Sequence, residues 1–81
     1  MRSLSDIASE IERECADKAW YVYAEAYVTP MKSLESMSDS YYLDSADSIV
    51  RYALANLGSW RGDTARRVKA ELNGMLKGVS A

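Results

Sequence analysis

The sequence predicts an all-α protein, built as a small bundle of three or four short helices. Apolar residues recur at three- and four-residue spacing along much of the chain, and no stretch alternates strictly as a strand does. Nearly half of the 81 residues are apolar and 27% are charged, as in an ordinary globular chain. We therefore interpret residues 1–81 as one helical domain, too small for a deep cleft, whose function lies on its surface.

The first helix is predicted from an apolar stripe near the N-terminus. Ser3 or Ser5 is the expected N-cap, and the stripe consists of Leu4, Ile7, Ala8, Ile11 and Cys15. The same periodicity continues to Val28, but the segment WYVYAEAY is rich in aromatic and β-branched residues, which lower helix propensity. We therefore expect the helix to break between about residues 17 and 23.

A short second helix is expected to follow, with Met31, Leu34 and Met37 facing the core. Pro30 fits best in its first turn, because the N–H that proline lacks has no helical partner there. The next segment, SMSDSYYLDSADS, is rich in serine and aspartate and predicts a turn that contains two tyrosines.

Two further helices are predicted in the C-terminal half. The third has Asp44 as its N-cap and Gly58 at its end, and its apolar stripe is Ala46, Ile49, Val50, Ala53, Leu54 and Leu57. The last has Ser59 as its N-cap, and one side of it carries Trp60, Thr64, Val68, Leu72, Met75, Leu76 and Val79. Trp60 is therefore expected to be a core residue.

The residue types exclude most catalytic and metal chemistry. Cys15 is the only cysteine and histidine is absent, so no internal disulfide and none of the usual zinc sets can form. No histidine is present to act as a base for a serine or for Cys15, and no phosphate-binding glycine loop occurs. We therefore predict no catalytic residue, no metal and no cofactor. The sequence has no membrane-length apolar run and a charged N-terminus, which favour a cytoplasmic protein.

Basic side chains form one candidate interaction surface. Residues 1–40 contain eight acidic and four basic residues, whereas residues 41–81 contain four and six, so the C-terminal half is net basic. In the last helix, the face opposite the apolar stripe is predicted to carry Arg66, Lys69 and Lys77, with Arg67 at its edge. This strip is either a solvated outer face or a surface that contacts nucleic-acid phosphates.

Arg61 falls inside the apolar sector of the same helix. We expect it to form a structural ion pair or to contact a partner, and the available carboxylates are Glu12, Glu35, Asp39 and Asp44. One edge of this helix carries Ala70, Gly74 and Gly78, and glycine within a helix favours the close approach of another helix. That helix would come either from the same chain or from a second copy in a homodimer.

Tyrosines form the other candidate surface. All eight aromatic residues are Trp or Tyr, and such side chains suit either the rim of a small core or a binding surface. Tyr41 and Tyr42 are the ones we expect outside the core, because adjacent residues in a turn cannot easily both point inward.

From about Asp39 onward, the chain carries a DSAxxIVxYxLxN stretch that runs into WRGxxARRxKxEL. This block, which covers roughly half of the chain, resembles a group of short hypothetical proteins of tailed phages and prophages. The group has no known activity to carry over. The resemblance implies a phage origin, and small accessory phage products often bind host or defence proteins, as anti-CRISPR inhibitors do.

The leading hypothesis is therefore a non-enzymatic accessory protein that binds a host or defence-system protein or ribonucleoprotein in the bacterial cytoplasm. The acidic residues of the first half would engage a basic channel on that target: Glu10, Glu12, Glu14, Asp17, Glu25 and Glu35. The alternatives are a nucleic-acid-binding module that uses the last helix, and a structural or assembly subunit.

Overall fold

The computed structural model describes the backbone of residues 2–80 and the side chains of residues 2–78. Within this range there are four helices and one two-stranded hairpin. In chain order they are α1 (Leu4–Cys15), α2 (Tyr21–Met31), β1 (Ser40–Tyr41), β2 (Asp44–Ser45), α3 (Ala46–Ala55) and α4 (Asp63–Ser80). The predicted class, a small helical bundle, is confirmed. No helix of the described residues combines the length and the apolar character needed to cross a membrane.

Helix α1 begins and faces the core as the sequence predicts. The Oγ atom of Ser3 accepts a hydrogen bond from the backbone N–H of Asp6 at 3.1 Å, which caps the N-terminus. The predicted stripe is wholly buried, and the helix ends at Cys15. Residues 16–20 separate it from α2, so the expected break is present, slightly earlier than predicted.

Helix α2 contradicts the predicted second helix. It begins at Tyr21, includes most of the WYVYAEAY segment, and contains Pro30 in its last turn instead of its first. Its buried residues are Tyr21, Ala24, Val28 and Met31. Because their spacing places all four on one side of the helix, burial against the core outweighs the weak helix propensity of this segment. Pro30 lacks the N–H that would donate to the preceding turn, so it weakens the end of α2, and the helix stops one residue later.

The segment expected to be a plain turn contains an antiparallel hairpin. Ser40 pairs with Ser45 and Tyr41 with Asp44, which leaves two residues in the connecting turn. The backbone N–H of Ala46 donates to the carbonyl oxygen of Asp39 at 3.1 Å. Strands of two residues are too short to show an alternating pattern, so the sequence could not reveal them.

Helix α3 has the predicted buried stripe but different ends. Its N-cap is Ser45, not Asp44, because the Oγ atom of Ser45 accepts from the backbone N–H of Ser48 at 3.2 Å. The helix stops at Ala55, three residues before Gly58. Its C-cap is Asn56, whose side-chain amide donates to the carbonyl oxygen of Tyr52 at 2.8 Å. Gly58 is therefore not the residue that ends this helix.

Helix α4 begins at Asp63, four residues after the predicted cap Ser59. Trp60 therefore lies in the preceding loop, yet its side chain is only 6% exposed, so its predicted place in the core is confirmed. Gly62 adopts a φ of +113°, which favours glycine and redirects the chain into the helix. The buried residues of α4 are Ala65, Val68, Leu72, Met75 and Leu76. Thr64 is half-buried, and the side chain of Val79 lies outside the described range.

The small-residue edge of α4 packs against no other part of the described chain. Ala70, Gly74 and Gly78 are all exposed, and a Cβ atom built on either glycine would meet nothing within 4 Å. The expectation that a helix of the same chain approaches there is wrong. Contact with a second copy stays a prediction.

Candidate functional site

The basic residues of α4 do not form the free strip that the sequence suggested. The Nη2 atom of Arg67 lies 2.5 Å from Oε2 of Glu10 on α1, and its Nη1 atom lies 3.6 Å from Oε1 of Glu71. The Nη2 atom of Arg66 lies 2.5 Å from Oδ1 of Asp63 in the first turn of α4. Both guanidinium groups therefore have carboxylate partners within the chain.

Arg67 belongs to a four-residue ionic network that ties α4 to α1 and to the N-terminal segment. The Nη1 atom of Arg2 lies 2.6 Å from Oε1 of Glu10, and its Nε and Nη2 atoms donate to Glu71 at 3.0 and 2.6 Å. Burial disfavours ionisation of Glu10, but hydrogen bonds from Arg67 and Arg2 outweigh it and lower its pKa. The hydrogen bond from Arg2 also lowers the pKa of Glu71. The network therefore connects α1 and α4 through Glu10, Arg67 and Glu71.

The same contacts reduce the acidic surface that was expected to engage a basic channel. Glu10 is half-buried in the network, and both Oε atoms of Glu12 accept hydrogen bonds from Lys32 at 3.0 Å. The members of the predicted set that stay exposed are Glu14, Asp17, Glu25 and Glu35.

Lys69 and Lys77 have different surroundings. The Nζ atom of Lys69 donates to the carbonyl oxygen of Trp60 at 2.7 Å, so this half-buried side chain holds the loop before α4. Lys77 is exposed, and within the described range it forms no ion pair.

Arg61 is exposed and has no carboxylate at ion-pair distance among the side chains of residues 2–78. The expected structural ion pair is therefore absent from this range. The prediction failed because it placed Arg61 on a helix, whereas α4 begins two residues later. The alternative, contact with a partner, stays a prediction.

An open groove of about 350 Å³ lies between the loop that contains Trp60 and the first turns of α4. Its lining residues are Gly58, Trp60, Arg61, Gly62, Ala65, Arg66 and Lys69. It brings together three of the basic residues selected from the sequence, whereas Arg67 and Lys77 lie outside it. We call it the cationic groove.

The two adjacent tyrosines point in different directions. Tyr41 is half-buried and packs against the core, whereas Tyr42 is 86% exposed. Their rings meet edge to face, with centroids 4.7 Å apart. The expectation that Tyr42 lies outside the core is confirmed, whereas the same expectation for Tyr41 is wrong, because its ring packs against the core. A role for either tyrosine in binding a partner stays a prediction.

Tyr42 and Leu43 form the turn of the hairpin, and we call this pair the hairpin tip. Leu43 is fully exposed, and Tyr42 has a φ of +56°, in the left-handed region that bulky residues rarely adopt. Leu43 was not among the residues predicted from the sequence, although an apolar residue between tyrosine and aspartate in a polar turn is a visible signal.

Two further pairs of large side chains lie on α2 and α3. Tyr27 stacks on Tyr52 with centroids 5.3 Å apart, which joins the two helices. Val22 and Tyr23, near the start of α2, are 62% and 69% exposed. These side chains project from regular helix, in contrast to the strained turn of the hairpin tip.

Two buried titratable groups, the thiol of Cys15 and the phenol of Tyr21, have raised pKa values. Burial, with a contribution from Glu14, raises the pKa of the Cys15 thiol to about 11, so this buried thiol is protonated at neutral pH. Burial likewise raises the pKa of Tyr21 to about 12. In the described part of the chain, no three Asp, Glu or Cys side chains cluster as a metal site would require.

The chain matches no protein-family model, no curated protein and no solved structure. Functional assignment therefore depends on the geometry of the two surfaces described above, the cationic groove and the hairpin tip.

Proposed function

We propose that this protein works without catalysis, as a binding protein whose hairpin tip inserts into an apolar pocket of a partner protein. The observation that carries the proposal is the exposure of two adjacent apolar side chains at a turn where one of them holds a positive φ. Tyrosine is among the residues enriched at the energetic centres of protein interfaces.

The backbone conformation of the hairpin tip favours a role in binding. A left-handed conformation costs a residue other than glycine about 1–2 kcal/mol. Asparagine or glycine would adopt this conformation at position 42 with less strain than tyrosine. Leu43 gains nothing from the fold because it is fully exposed. A strained residue at an exposed position is more often kept for recognition than for stability.

The hairpin tip is presented on a fixed support. Tyr41 packs on the core immediately before it, and Ser45 caps α3 immediately after it. The carboxylate of Asp39 accepts hydrogen bonds from the backbone N–H groups of Glu35 and Ser36 at 2.9 and 3.2 Å, which orders the preceding loop. A pre-ordered loop loses little conformational entropy on binding.

The charge around the hairpin tip indicates the kind of partner. Residues 33–48 contain four acidic side chains and no basic one: Glu35, Asp39, Asp44 and Asp47. A complementary partner would surround its apolar pocket with lysine and arginine. We further propose that the partner is a protein or ribonucleoprotein of a bacterial host or its defence system, and that binding inhibits it in the cytoplasm. The resemblance to short phage proteins supports this choice of partner.

The nucleic-acid alternative, in which α4 follows the phosphate backbone, has less support. Arg67 is held by Glu10 of α1, and Arg67 and Lys77 both lie outside the cationic groove. The basic residues of α4 therefore do not form one continuous strip along which a phosphate backbone could run. The assembly alternative would use the exposed edge of α4 against a second copy.

Affinity capture from a bacterial lysate tests the proposal with two matched double variants. The first, Tyr42→Ser with Leu43→Ser, removes the hairpin tip. The second, Val22→Ser with Tyr23→Ser, removes a similar exposed apolar area from α2. Far-UV circular dichroism verifies that both variants fold.

We expect the wild-type protein and the α2 variant to retain a partner protein at stoichiometric levels. The hairpin-tip variant should retain at least about tenfold less partner protein. Truncation of a tyrosine at the energetic centre of an interface costs about 2 kcal/mol or more, which exceeds a tenfold loss of affinity. The proposal is wrong if the wild-type protein captures no stoichiometric partner, or if both variants lose the partner equally.

A further inference from the structure

The cationic groove carries more positive than negative charge. Arg61, Arg66 and Lys69 contribute three positive charges to its lining, and Asp63 beside it contributes one negative charge, which leaves a net charge of +2. The pairing does not cancel this excess, because Arg66 is the only one of the three with a carboxylate partner among the described residues.

The three cations are available to a ligand in different ways. Arg61 is exposed without an ion-pair partner in the described range. Lys69 donates to a neutral carbonyl oxygen, so its ammonium keeps its full charge while its position is fixed. Arg66 and Asp63 pair in open solvent, with side chains 79% and 98% exposed, and such a pair contributes little and exchanges easily.

We infer that the cationic groove binds a phosphate group. A phosphate monoester brings about two negative charges, which match the local excess, and two neighbouring phosphodiesters of a nucleic-acid strand bring the same charge, whereas a single carboxylate brings one. Guanidinium groups recognise phosphate oxygens in bidentate geometry, and a lysine ammonium adds a compact charge beside them. The volume of about 350 Å³ lies within the range of small-ligand pockets.

The groove has the rigidity that such a site needs. Two features fix the loop that lies opposite α4. Lys69 donates a hydrogen bond to the carbonyl oxygen of Trp60, and the Trp60 indole is buried in the core. Gly62, with its positive φ, forms the turn between this loop and the helix. The phosphate can come from a small molecule or from a nucleic-acid strand, and the experiment below separates the two sources.

Titrations followed by amide nuclear magnetic resonance test the site at low ionic strength, where exposed charges are least screened. The ligands are inorganic phosphate, pyrophosphate and a short DNA duplex, with sodium chloride of equal ionic strength as the reference. The signals that report on the groove are the amides of Gly58 and Gly62 and the indole N–H of Trp60. The variants are Arg61→Gln, Asp63→Asn and, as a charge-matched control outside the groove, Lys77→Gln.

We expect saturable shifts of the groove signals with phosphate and pyrophosphate but not with chloride. Arg61→Gln should weaken binding at least about tenfold, because it removes a charge-assisted contact. Asp63→Asn should strengthen binding about threefold or more, because it removes a repulsive charge and releases Arg66. Lys77→Gln should change the affinity less than about twofold. The gain in Asp63→Asn is an effect that loss of folding cannot imitate.

The duplex identifies the source of the phosphate. If it shifts the same groove signals and Arg61→Gln removes the effect, the source is a nucleic-acid strand. If only inorganic phosphate and pyrophosphate shift the groove signals, the source is a small molecule. Either result supports a phosphate-binding site in the cationic groove. The inference is overturned if the groove signals do not saturate, if Asp63→Asn weakens binding, or if Lys77→Gln and Arg61→Gln weaken it equally.

Discussion

Replacing Trp60 with alanine is expected to remove much of the stability of the fold. The indole is 6% exposed, and a buried tryptophan withdraws up to about 250 Å² from water. At about 25 cal/mol per Å², this gives an upper bound of about 6 kcal/mol. Measured truncations of buried tryptophan cost about 3–5 kcal/mol, and a domain of this size has roughly 4–12 kcal/mol in total. We therefore expect Trp60→Ala to lower the free energy of unfolding by about 3–5 kcal/mol.

Urea unfolding followed by far-UV circular dichroism measures this loss without depending on tryptophan fluorescence. With a denaturant dependence of about 1 kcal/mol per M for a small protein, the unfolding midpoint should fall by about 3 M or leave the variant largely unfolded. Tyr23→Ala is the control, because its ring is 69% exposed and should cost less than about 0.5 kcal/mol. A loss below about 1 kcal/mol in Trp60→Ala, or one equal to the control, would refute the packing described here.

Three further predictions concern polar contacts and the edge of α4. Lys69→Met should lower the free energy of unfolding by about 1–3 kcal/mol because it orphans the Trp60 carbonyl oxygen, whereas Lys77→Met should cost less than about 0.5 kcal/mol. Equal effects in urea titrations would contradict this role for Lys69. Stability should also fall as the pH is lowered below about 4.5. The folded-state pKa values of Glu10 and Glu71 are depressed, so the stability that they contribute above the unfolded pKa is lost as the pH falls through the folded pKa. The double variant Glu10→Gln with Glu71→Gln should lose part of this dependence, and an unchanged profile would argue against the ionic network. Gly74→Ala should raise stability by about 0.5–1 kcal/mol, since nothing lies within 4 Å of the added Cβ atom. A decrease, with a change in sedimentation velocity, would instead reveal a packed homodimer.

Helical periodicity predicted the parts of the fold that depend on one-sided burial. The stripes of α1, α3 and α4 are visible in the sequence because polar residues separate their apolar positions. Trp60 was placed correctly in the core although the helix around it was not. The stripe of α2 was obscured, because exposed Val22 and Tyr23 lie beside buried Tyr21 and Ala24. Burial of one side of α2 against the rest of the protein stabilises its helical conformation. This burial is a tertiary effect, so the local sequence does not show it.

The candidate surfaces were only partly visible for a related reason. Arg67 and Glu10 are 57 residues apart in sequence, and no local pattern predicts that they meet. Arg61 is exposed because it lies in the loop before α4, which begins at Asp63. The ends of helices are the least certain part of a sequence prediction. The exposure of Tyr42 was predicted correctly, but its backbone conformation and the exposure of Leu43 follow from the hairpin geometry, which the sequence did not reveal.

Photocrosslinking at the hairpin tip is the most direct test of the central claim, that Tyr42 and Leu43 contact a partner protein. Benzoylphenylalanine placed at position 43 should give one dominant adduct with a partner when the protein is irradiated in a bacterial lysate. The same probe at position 23, on the exposed face of α2, should give none. An adduct from position 23 without one from position 43 would contradict the account.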